Sequence, residues 1–153
     1  MSFRRILQKR ASSCGIACVA SVAGRTHDQI MKVAVEAKIL SERGPFYLLT
    51  HELTKLLSIV DVSFERARMA RKWSAITVPA IVAVNHHRDS NRWHWVIYVS
   101  SPNGGYVLDP RPSIKTSRRT DFNRMRVHSY IPLEPPNIPL PRDALPATPA
   151  SRP

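Results

Sequence analysis

The sequence predicts an α+β fold in which an N-terminal cluster of helices packs on an antiparallel sheet. Three observations on the 153-residue chain predict it. Apolar residues first recur at helical spacing, and from about Ile59 they alternate with polar residues as in a strand. A strong turn, residues 102–105 (Pro-Asn-Gly-Gly), then separates two strand-like segments. Helices therefore come first and strands follow, within one domain of ordinary size.

The first of three expected helices covers residues 12–23, which are mostly apolar. Ser12 or Ser13 is expected as its N-cap, because a serine hydroxyl can satisfy a backbone N–H that lacks a partner in the first turn. Gly24 is the favoured type of residue just past a helix end. Apolar side chains surround most of this helix, so we expect it to be buried.

The next two helices show one apolar face each. The second is expected to start at Thr26 or Asp28, and Thr50 is expected to cap the third. The apolar faces consist of Ile30, Val33, Ala34 and Ala37 in the second helix and of Leu53, Leu56 and Leu57 in the third. We expect these faces to point toward the core.

Four further segments follow the strand pattern, at residues 59–65, 76–84, 93–99 and 127–133. Pro79 lies within the second of them and belongs at a strand end or edge, because proline has no N–H to donate to a ladder. The turn at residues 102–105 leads into residues 106–109, which are expected to pair with the preceding strand as a hairpin.

Two composition shifts organise the chain. Eight of its 13 prolines lie at or beyond residue 132, at positions 132, 135, 136, 139, 141, 146, 149 and 153. A segment so rich in proline and poor in aromatic residues cannot build a core. We therefore expect a folded domain over residues 1–131 and an extended or disordered tail over residues 132–153.

The chain is strongly basic, with 23 Lys and Arg against 11 Asp and Glu and a net charge of +12. These basic residues are scattered apart from a dense cluster at residues 66–72, and no nucleic-acid-binding motif surrounds that cluster. The charge therefore favours solubility and attraction for an acidic protein partner over binding of nucleic acid.

The compartment follows from what the sequence lacks. No apolar stretch approaches the roughly 20 residues that cross a bilayer, so we expect no transmembrane segment. The N-terminus turns polar again at residues 8–10 before any signal-type apolar run, which predicts a cytoplasmic protein and leaves open export without a signal peptide. Two cysteines exclude a disulfide scaffold. The adjacent His86 and His87 are expected in a loop without a completed ligand set, and no metal or cofactor is expected.

Four residues carry the chemistry. Cys14 lies at the start of the first helix, where backbone N–H groups and the helix dipole stabilise a thiolate. His94 lies between two tryptophans on one hairpin strand and Asp109 ends the other, so the carboxylate can orient the imidazole. Gln8, six positions before the cysteine, can place its amide beside the sulfur and form an oxyanion hole with the backbone N–H of Cys14.

Each of these residues alone has a structural explanation. Cys14 would more often be a buried helix cysteine, His94 a sheet histidine with satisfied partners, and Asp109 part of a turn. Their combination favours nucleophilic catalysis. Cys18, one turn further along the helix, is expected to be a core residue, and His27 is expected at the surface.

The sequence resembles the papain-like cysteine peptidases that process bacteriocins and form the peptidase domain of transporters that remove double-glycine leaders. The resemblance covers about residues 5–131 and rests on Gln8, Cys14-Gly15, Pro79 before an apolar strand, His94-Trp95-Val96 and Asp109-Pro110. It implies a papain-like domain, here a stand-alone one over residues 1–131. By resemblance Cys14 is the nucleophile, His94 the general base and acid, Asp109 the orienter and Gln8 the oxyanion donor.

The resemblance implies a cysteine-dependent hydrolase, a peptidase that cleaves an extended peptide near small residues through a thioester intermediate. The sequence departs from the family at Ser13, where the family usually has Asp. Two alternatives stay open: a leader-peptide-binding module that does not cleave, and a deamidase or acyl-transfer toxin or effector with the same three groups. The oligomeric state stays open as well.

Overall fold

The computed structural model describes residues 3–135, which form three helices followed by the strands of one sheet. The helices are α1 (Cys14–Ala23), α2 (His27–Glu36) and α3 (Thr50–Ile59). The strands are β1 (Arg68–Met69), β2 (Ala80–His87), β3 (Arg92–Val99), β4 (Tyr106–Leu108) and β5 (Val127–Pro132). Among these described helices, none is long and apolar enough to cross a membrane. The predicted order, helices before strands, is confirmed.

All neighbouring strands run antiparallel, in the spatial order β1-β5-β2-β3-β4. The expected hairpin forms between β3 and β4, in which Ile97 pairs with Leu108 and Val99 with Tyr106. The last strand, β5, lies between β1 and β2. The C-terminal end of the described chain therefore passes through the middle of the sheet.

The three helices cover one face of the sheet, and alternating residues of the strands divide between two cores. Trp95 and Ile97 of β3 pack with the helices in the larger core. Val96 and Tyr98 of the same strand face a smaller core on the opposite side, which Trp73 and Phe122 help to cover. The predicted helix cluster on an antiparallel sheet is confirmed.

The helix boundaries differ from prediction at two N-termini. Helix α1 begins at Cys14, and although Ser13 is its N-cap residue, the Ser13 hydroxyl makes no capping bond to the first turn. Helix α3 has Leu49 as its N-cap instead of Thr50, since the Glu52 carboxylate accepts the Leu49 N–H at 2.8 Å. Glu52, the third residue of the helix, thus satisfies the N–H of the N-cap residue, as the glutamate of a capping box does.

The strand predicted over residues 59–65 is wrong. Helix α3 continues to Ile59, and Asp61 then turns the chain with a φ of 60°. In this segment only Phe64 forms a bridge, to Leu133. The apolar residues that alternate here pack against the helical core from irregular backbone. The expectation of a loop at His86 and His87 is also wrong, because both belong to β2.

The predicted proline-rich tail lies mostly outside the described residues, which end at 135. Within them, β5 continues to Pro132, and the Leu133 N–H donates to the Pro79 carbonyl at 2.9 Å. Pro79 itself precedes β2, at the strand end that its missing N–H predicts.

Candidate active site

The sulfur of Cys14 lies against the edge of β3. Cys14 is the first residue of α1 and is 5% exposed. The backbone N–H of Trp95 donates to its Sγ over 3.5 Å. This N–H is available because the ladder between β3 and β4 ends at Ile97 and Leu108, two residues short of Trp95. The first turn of α1 and this edge N–H together surround the sulfur with positive dipoles, which favour a thiolate.

His94 and Asp109 meet on the two strands of the hairpin, as their positions in the sequence predict. His94 Nε2 and Asp109 Oδ1 lie 2.8 Å apart. Burial of the imidazole acts to lower its pKa, but the hydrogen bond to Asp109 and the interaction with Cys14 outweigh burial and raise the pKa of His94 from its ordinary value. The structure thus brings the sulfur, the imidazole and the carboxylate together.

The carboxylate of Asp109 is fully buried and held by three donors besides His94. Its Oδ1 accepts the backbone N–H of Arg111 at 2.9 Å. Its Oδ2 accepts Arg119 Nη1 at 2.7 Å and Arg111 Nη2 at 3.2 Å. Burial acts to raise the pKa of Asp109, yet the hydrogen bond and charge of His94 and the hydrogen bonds from Arg111 hold this pKa well below its usual range. Asp109 is therefore ionised at neutral pH.

Sequence reasoning missed Arg119, which appeared only as one of many scattered basic residues. Its guanidinium is 6% exposed and lies between two carboxylates, those of Asp109 and Asp121. The pairing with Asp121, only two residues further along the chain, is the one sequence signal that points to it.

The N-terminal segment is tied to the loop that follows β4. Arg5 Nε donates to the Asp109 carbonyl at 2.6 Å, and Arg5 Nη2 donates to the carbonyls of Arg111 and Ile114. The Gln8 N–H donates to the Pro110 carbonyl at 2.9 Å. These bonds bring the segment that leads into Cys14 next to the residues that hold Asp109.

The side chain of Gln8 does not point freely at the cysteine. It is buried, and its Nε2 donates to the carbonyls of Arg10 and Ala11 at 2.9 and 3.0 Å. Its Oε1 is buried and has no hydrogen-bond partner within residues 3–135. Gln8 thus braces the turn before α1, and its role as an oxyanion donor stays a prediction.

His27 is buried, so the expectation that it lies at the surface is wrong. Its Nε2 lies 2.9 Å from Ser13 Oγ and also faces the Lys9 N–H at 3.4 Å. Ser13 Oγ in turn accepts the Arg10 N–H at 3.1 Å. Burial lowers the pKa of His27, in keeping with a neutral ring. Ser13 and His27 therefore fasten the turn between Gln8 and Cys14 to the start of α2.

A cleft of about 330 Å³ opens beside the sulfur. It is lined by Cys14, Pro45, Tyr47, Leu48, Leu49, Glu52, Ser90, Asn91, Arg92, Trp93 and Trp95. Trp95 Nε1 donates to the Leu48 carbonyl at 2.8 Å, which fixes the wall next to Cys14. A Cβ on Gly15 would lie 3.0 Å from side-chain atoms of both Leu48 and Trp95, so glycine is what lets this wall close. Within residues 3–135 no three His, Cys, Asp or Glu side chains group as metal ligands.

Comparison with known proteins shows which solved structures share this fold. No protein-family model and no curated protein matches the sequence. The peptidase domain of Streptococcus ComA, a bi-functional ABC transporter involved in a quorum-sensing pathway, shares the fold with a TM-score of 0.63 and 20% identity, over 88% of this chain and 100% of that domain. A double glycine motif protease from an AMS/PCAT transporter, solved with a leader peptide, matches with a TM-score of 0.57 and 16% identity, over 88% and 93% of the two chains.

The chain therefore has the α+β fold of these peptidase domains. The resemblance to double-glycine leader peptidases that Gln8, Cys14, His94 and Asp109 suggested is confirmed at the level of the fold.

Proposed function

We propose that this chain is a cysteine peptidase that cleaves an extended peptide next to small residues such as glycine. The observation that carries the proposal is that Cys14, His94 and Asp109 come together at the N-terminus of α1, beside an open cleft. Nucleophile, base and orienter arranged in this way are the requirements for acyl transfer through a thioester.

In the proposed reaction the Cys14 sulfur is the nucleophile, and His94 carries the proton between the thiol, the leaving amine and water. His94 takes the proton of the Cys14 thiol, and the thiolate attacks the carbonyl carbon of the scissile peptide bond. When the tetrahedral intermediate collapses, the carbon–nitrogen bond breaks and His94 returns the proton to the leaving amine. Water, deprotonated by His94, then attacks the thioester and releases the acid and the free thiol. Asp109 keeps the imidazole oriented throughout.

The oxyanion of each tetrahedral intermediate needs donors close to the sulfur. The backbone N–H of Cys14 lies in the first turn of α1, where N–H groups have no acceptor within the helix, so it can donate to the oxyanion. For Gln8 to add a second donor, its Nε2 must exchange the Arg10 or Ala11 carbonyl for the substrate oxygen. Loss of one such donor elsewhere costs roughly a hundredfold or more in rate.

The wall of the cleft supports the proposed preference for small residues. Leu48 and Trp95 close over Gly15 immediately beside the sulfur. A substrate residue with a large side chain at this place would meet the fixed indole of Trp95. The neighbour solved with its leader peptide shows that this fold can hold a peptide, and we propose the same use of the cleft here.

Alkylation separates a reactive thiol from an inert one. With iodoacetamide near pH 6, Cys14 should react and Cys18 should not, because burial raises the pKa of Cys18 well above its ordinary value. The His94→Ala variant should lose the selective reaction. Equal, slow labelling of both thiols would instead fit a peptide-binding module that does not cleave.

Mass spectrometry of peptide substrates then separates the remaining reactions. Cleavage of the backbone adds about 18 Da, divided between two fragments, whereas deamidation of a glutamine adds about 1 Da without cleavage. Peptides with a Gly-Gly sequence and matched peptides with Leu-Leu at the same place test the expected preference. Equal cleavage of the two would contradict the role proposed for Leu48 and Trp95.

A further inference from the structure

The carboxylate of Asp109 is shared between an imidazole and a buried guanidinium. Its Oδ1 faces His94 Nε2 at 2.8 Å, and its Oδ2 faces Arg119 Nη1 at 2.7 Å. The other side of the guanidinium is occupied by Asp121, which accepts from Arg119 Nε at 2.9 Å and from Nη2 at 2.7 Å. Arg119 therefore uses its planar fork on Asp121 and directs the remaining nitrogen at Asp109.

The backbone fixes Arg119 at this place. Its N–H donates to the Val107 carbonyl at 2.8 Å, and the Val107 N–H donates back to the Arg119 carbonyl at 2.8 Å. This pair forms a one-residue bridge on β4, two residues before Asp109. The backbone of Arg119 is thus anchored to β4, the strand that Asp109 directly follows.

Several charged or titratable groups face this carboxylate. From the loop after β4 come Arg111, through its backbone N–H and its guanidinium, and Arg119. From the sheet comes His94, and from α1 the thiols Cys14 and Cys18 interact with these groups. From the N-terminal segment Arg5 binds the Asp109 carbonyl. Before His94 takes up a proton, the cluster thus holds two guanidinium groups and two carboxylates, those of Asp109 and Asp121, and both guanidinium groups contact Asp109.

This balance has a chemical consequence for a reaction of the kind proposed above. An imidazolium beside a buried, unopposed carboxylate holds its proton tightly, since an opposite charge within about 4–6 Å favours the charged form. The proposed cycle needs the proton to leave His94 for the amine, and then needs a neutral ring to activate water. A cation on the far oxygen of Asp109 reduces its pull on the imidazolium while leaving the orienting hydrogen bond in place.

We propose that Arg119 is a positioning residue for His94: it fixes Oδ2 of Asp109, aims Oδ1 at the imidazole and offsets the charge of the carboxylate. The significance for catalysis rests on the proposed peptidase function. The effect of Arg119 on the His94 imidazole does not depend on that function, so the effect and the function can be tested separately.

The test is a titration of His94 by NMR. The Cε1–H signals of the six histidines are followed from pH 5 to pH 9 in the Cys14→Ala protein, which removes the coupled thiol, and the His94 signal is assigned by its loss in His94→Gln. The same titration is run with Arg119→Met, Arg119→Gln and Arg119→Lys added. We expect the His94 midpoint to move to higher pH in the Met and Gln variants and to stay near the parent value in the Lys variant, which keeps the charge.

Matched variants separate this effect from a loss of structure. Arg119→Gln keeps an N–H donor for Asp109 and serves if Arg119→Met does not fold. Asp121→Asn removes the charge from the other contact of Arg119 and should not raise the His94 midpoint. A midpoint that is unchanged or lower in both uncharged variants overturns the proposal, and so does an equal rise in Asp121→Asn.

The kinetics of peptide cleavage test whether the effect of Arg119 on His94 also changes catalysis. With Cys14 present, Arg119→Gln should move the acid limb of the kcat profile to higher pH and lower kcat at neutral pH by about tenfold, because a larger share of His94 is then protonated and cannot act as a base. If no peptide is cleaved by the parent protein while the NMR midpoints move as expected, the peptidase function fails and the effect of Arg119 on His94 stands.

Discussion

The backbone N–H of Trp95 donates to the sulfur of Cys14 and joins residues 81 positions apart in the chain. Since His94 is the neighbouring residue, this single contact places the start of α1 beside the imidazole. It exists only because β4 is three residues long and leaves the edge of β3 unpaired at this point. The short strand thus creates the place where helix and sheet meet over the candidate nucleophile.

The two cysteines should differ sharply in what their removal does. Cys14→Ala should abolish peptide cleavage to near background, because it removes the sulfur that interacts with His94 beside the cleft. Cys18→Ala is the matched control, one turn further along α1 and buried in the core. It should lower the free energy of unfolding by about 1 kcal/mol and keep most of the activity. Activity in Cys14→Ala comparable to the parent would remove the basis of the proposed mechanism.

Gln8 should affect the rate of cleavage without affecting the reactivity of the thiol. Gln8→Ala removes the proposed oxyanion donor, so kcat should fall by roughly a hundredfold. Alkylation of Cys14 by iodoacetamide forms no oxyanion, and its rate should change little. Because Nε2 of Gln8 also holds the Arg10 and Ala11 carbonyls, the thermal midpoint is measured in parallel. Equal losses in alkylation and cleavage would mean that Gln8 acts only by supporting the turn before α1.

Gly15 should be sensitive to the addition of a single methyl group. A Cβ at this position would contact Leu48 and Trp95 at 3.0 Å, so Gly15→Ala must displace the wall of the cleft and should destabilise the protein by about 1–3 kcal/mol. Gly24→Ala is the control at the other end of α1. There the φ of 68° costs about 1 kcal/mol, but no atom lies within 4 Å of the new Cβ. Peptide cleavage, corrected for the folded fraction, should fall in Gly15→Ala and persist in Gly24→Ala.

The parts of the fold that depend on local pattern could be predicted from the sequence. The capping residue Thr26, the helix end at Gly24 and the turn at residues 102–105 all act over a few residues, and each is found where predicted. The hairpin was enough to predict that His94 and Asp109 lie side by side, because one turn fixes the pairing of its two strands.

The parts that depend on distant contacts could not be predicted. Residues 59–65 alternate like a strand, but no neighbouring strand is available over most of their length, so they pack as irregular chain. His27 has a polar side chain at a helix start, and only its contact with Ser13 explains its burial. Arg119 gains its meaning from Asp109, ten residues away and on the other side of a loop. Such contacts leave no periodic signal in the sequence.

The stability of the protein should depend on the pH through His94 in a defined direction. The folded-state pKa of His94 is raised above its unfolded value of about 6.5, so its stabilising contribution is complete below that pH and is lost as the pH rises through the folded-state pKa. Asp109 stays ionised over this range, because its pKa lies well below the usual value. Burial lowers the pKa of His27, so His27 changes the stability with pH in the opposite direction, and its contribution must cancel in the comparison. Urea unfolding of the parent and of His94→Gln from pH 5.5 to pH 8.5 does this, because His27 is common to both. The difference in unfolding free energy should shrink as the pH rises, and a difference that grows would show that the imidazole is stabilised in its neutral form and that Asp109 does not hold it as an ion pair.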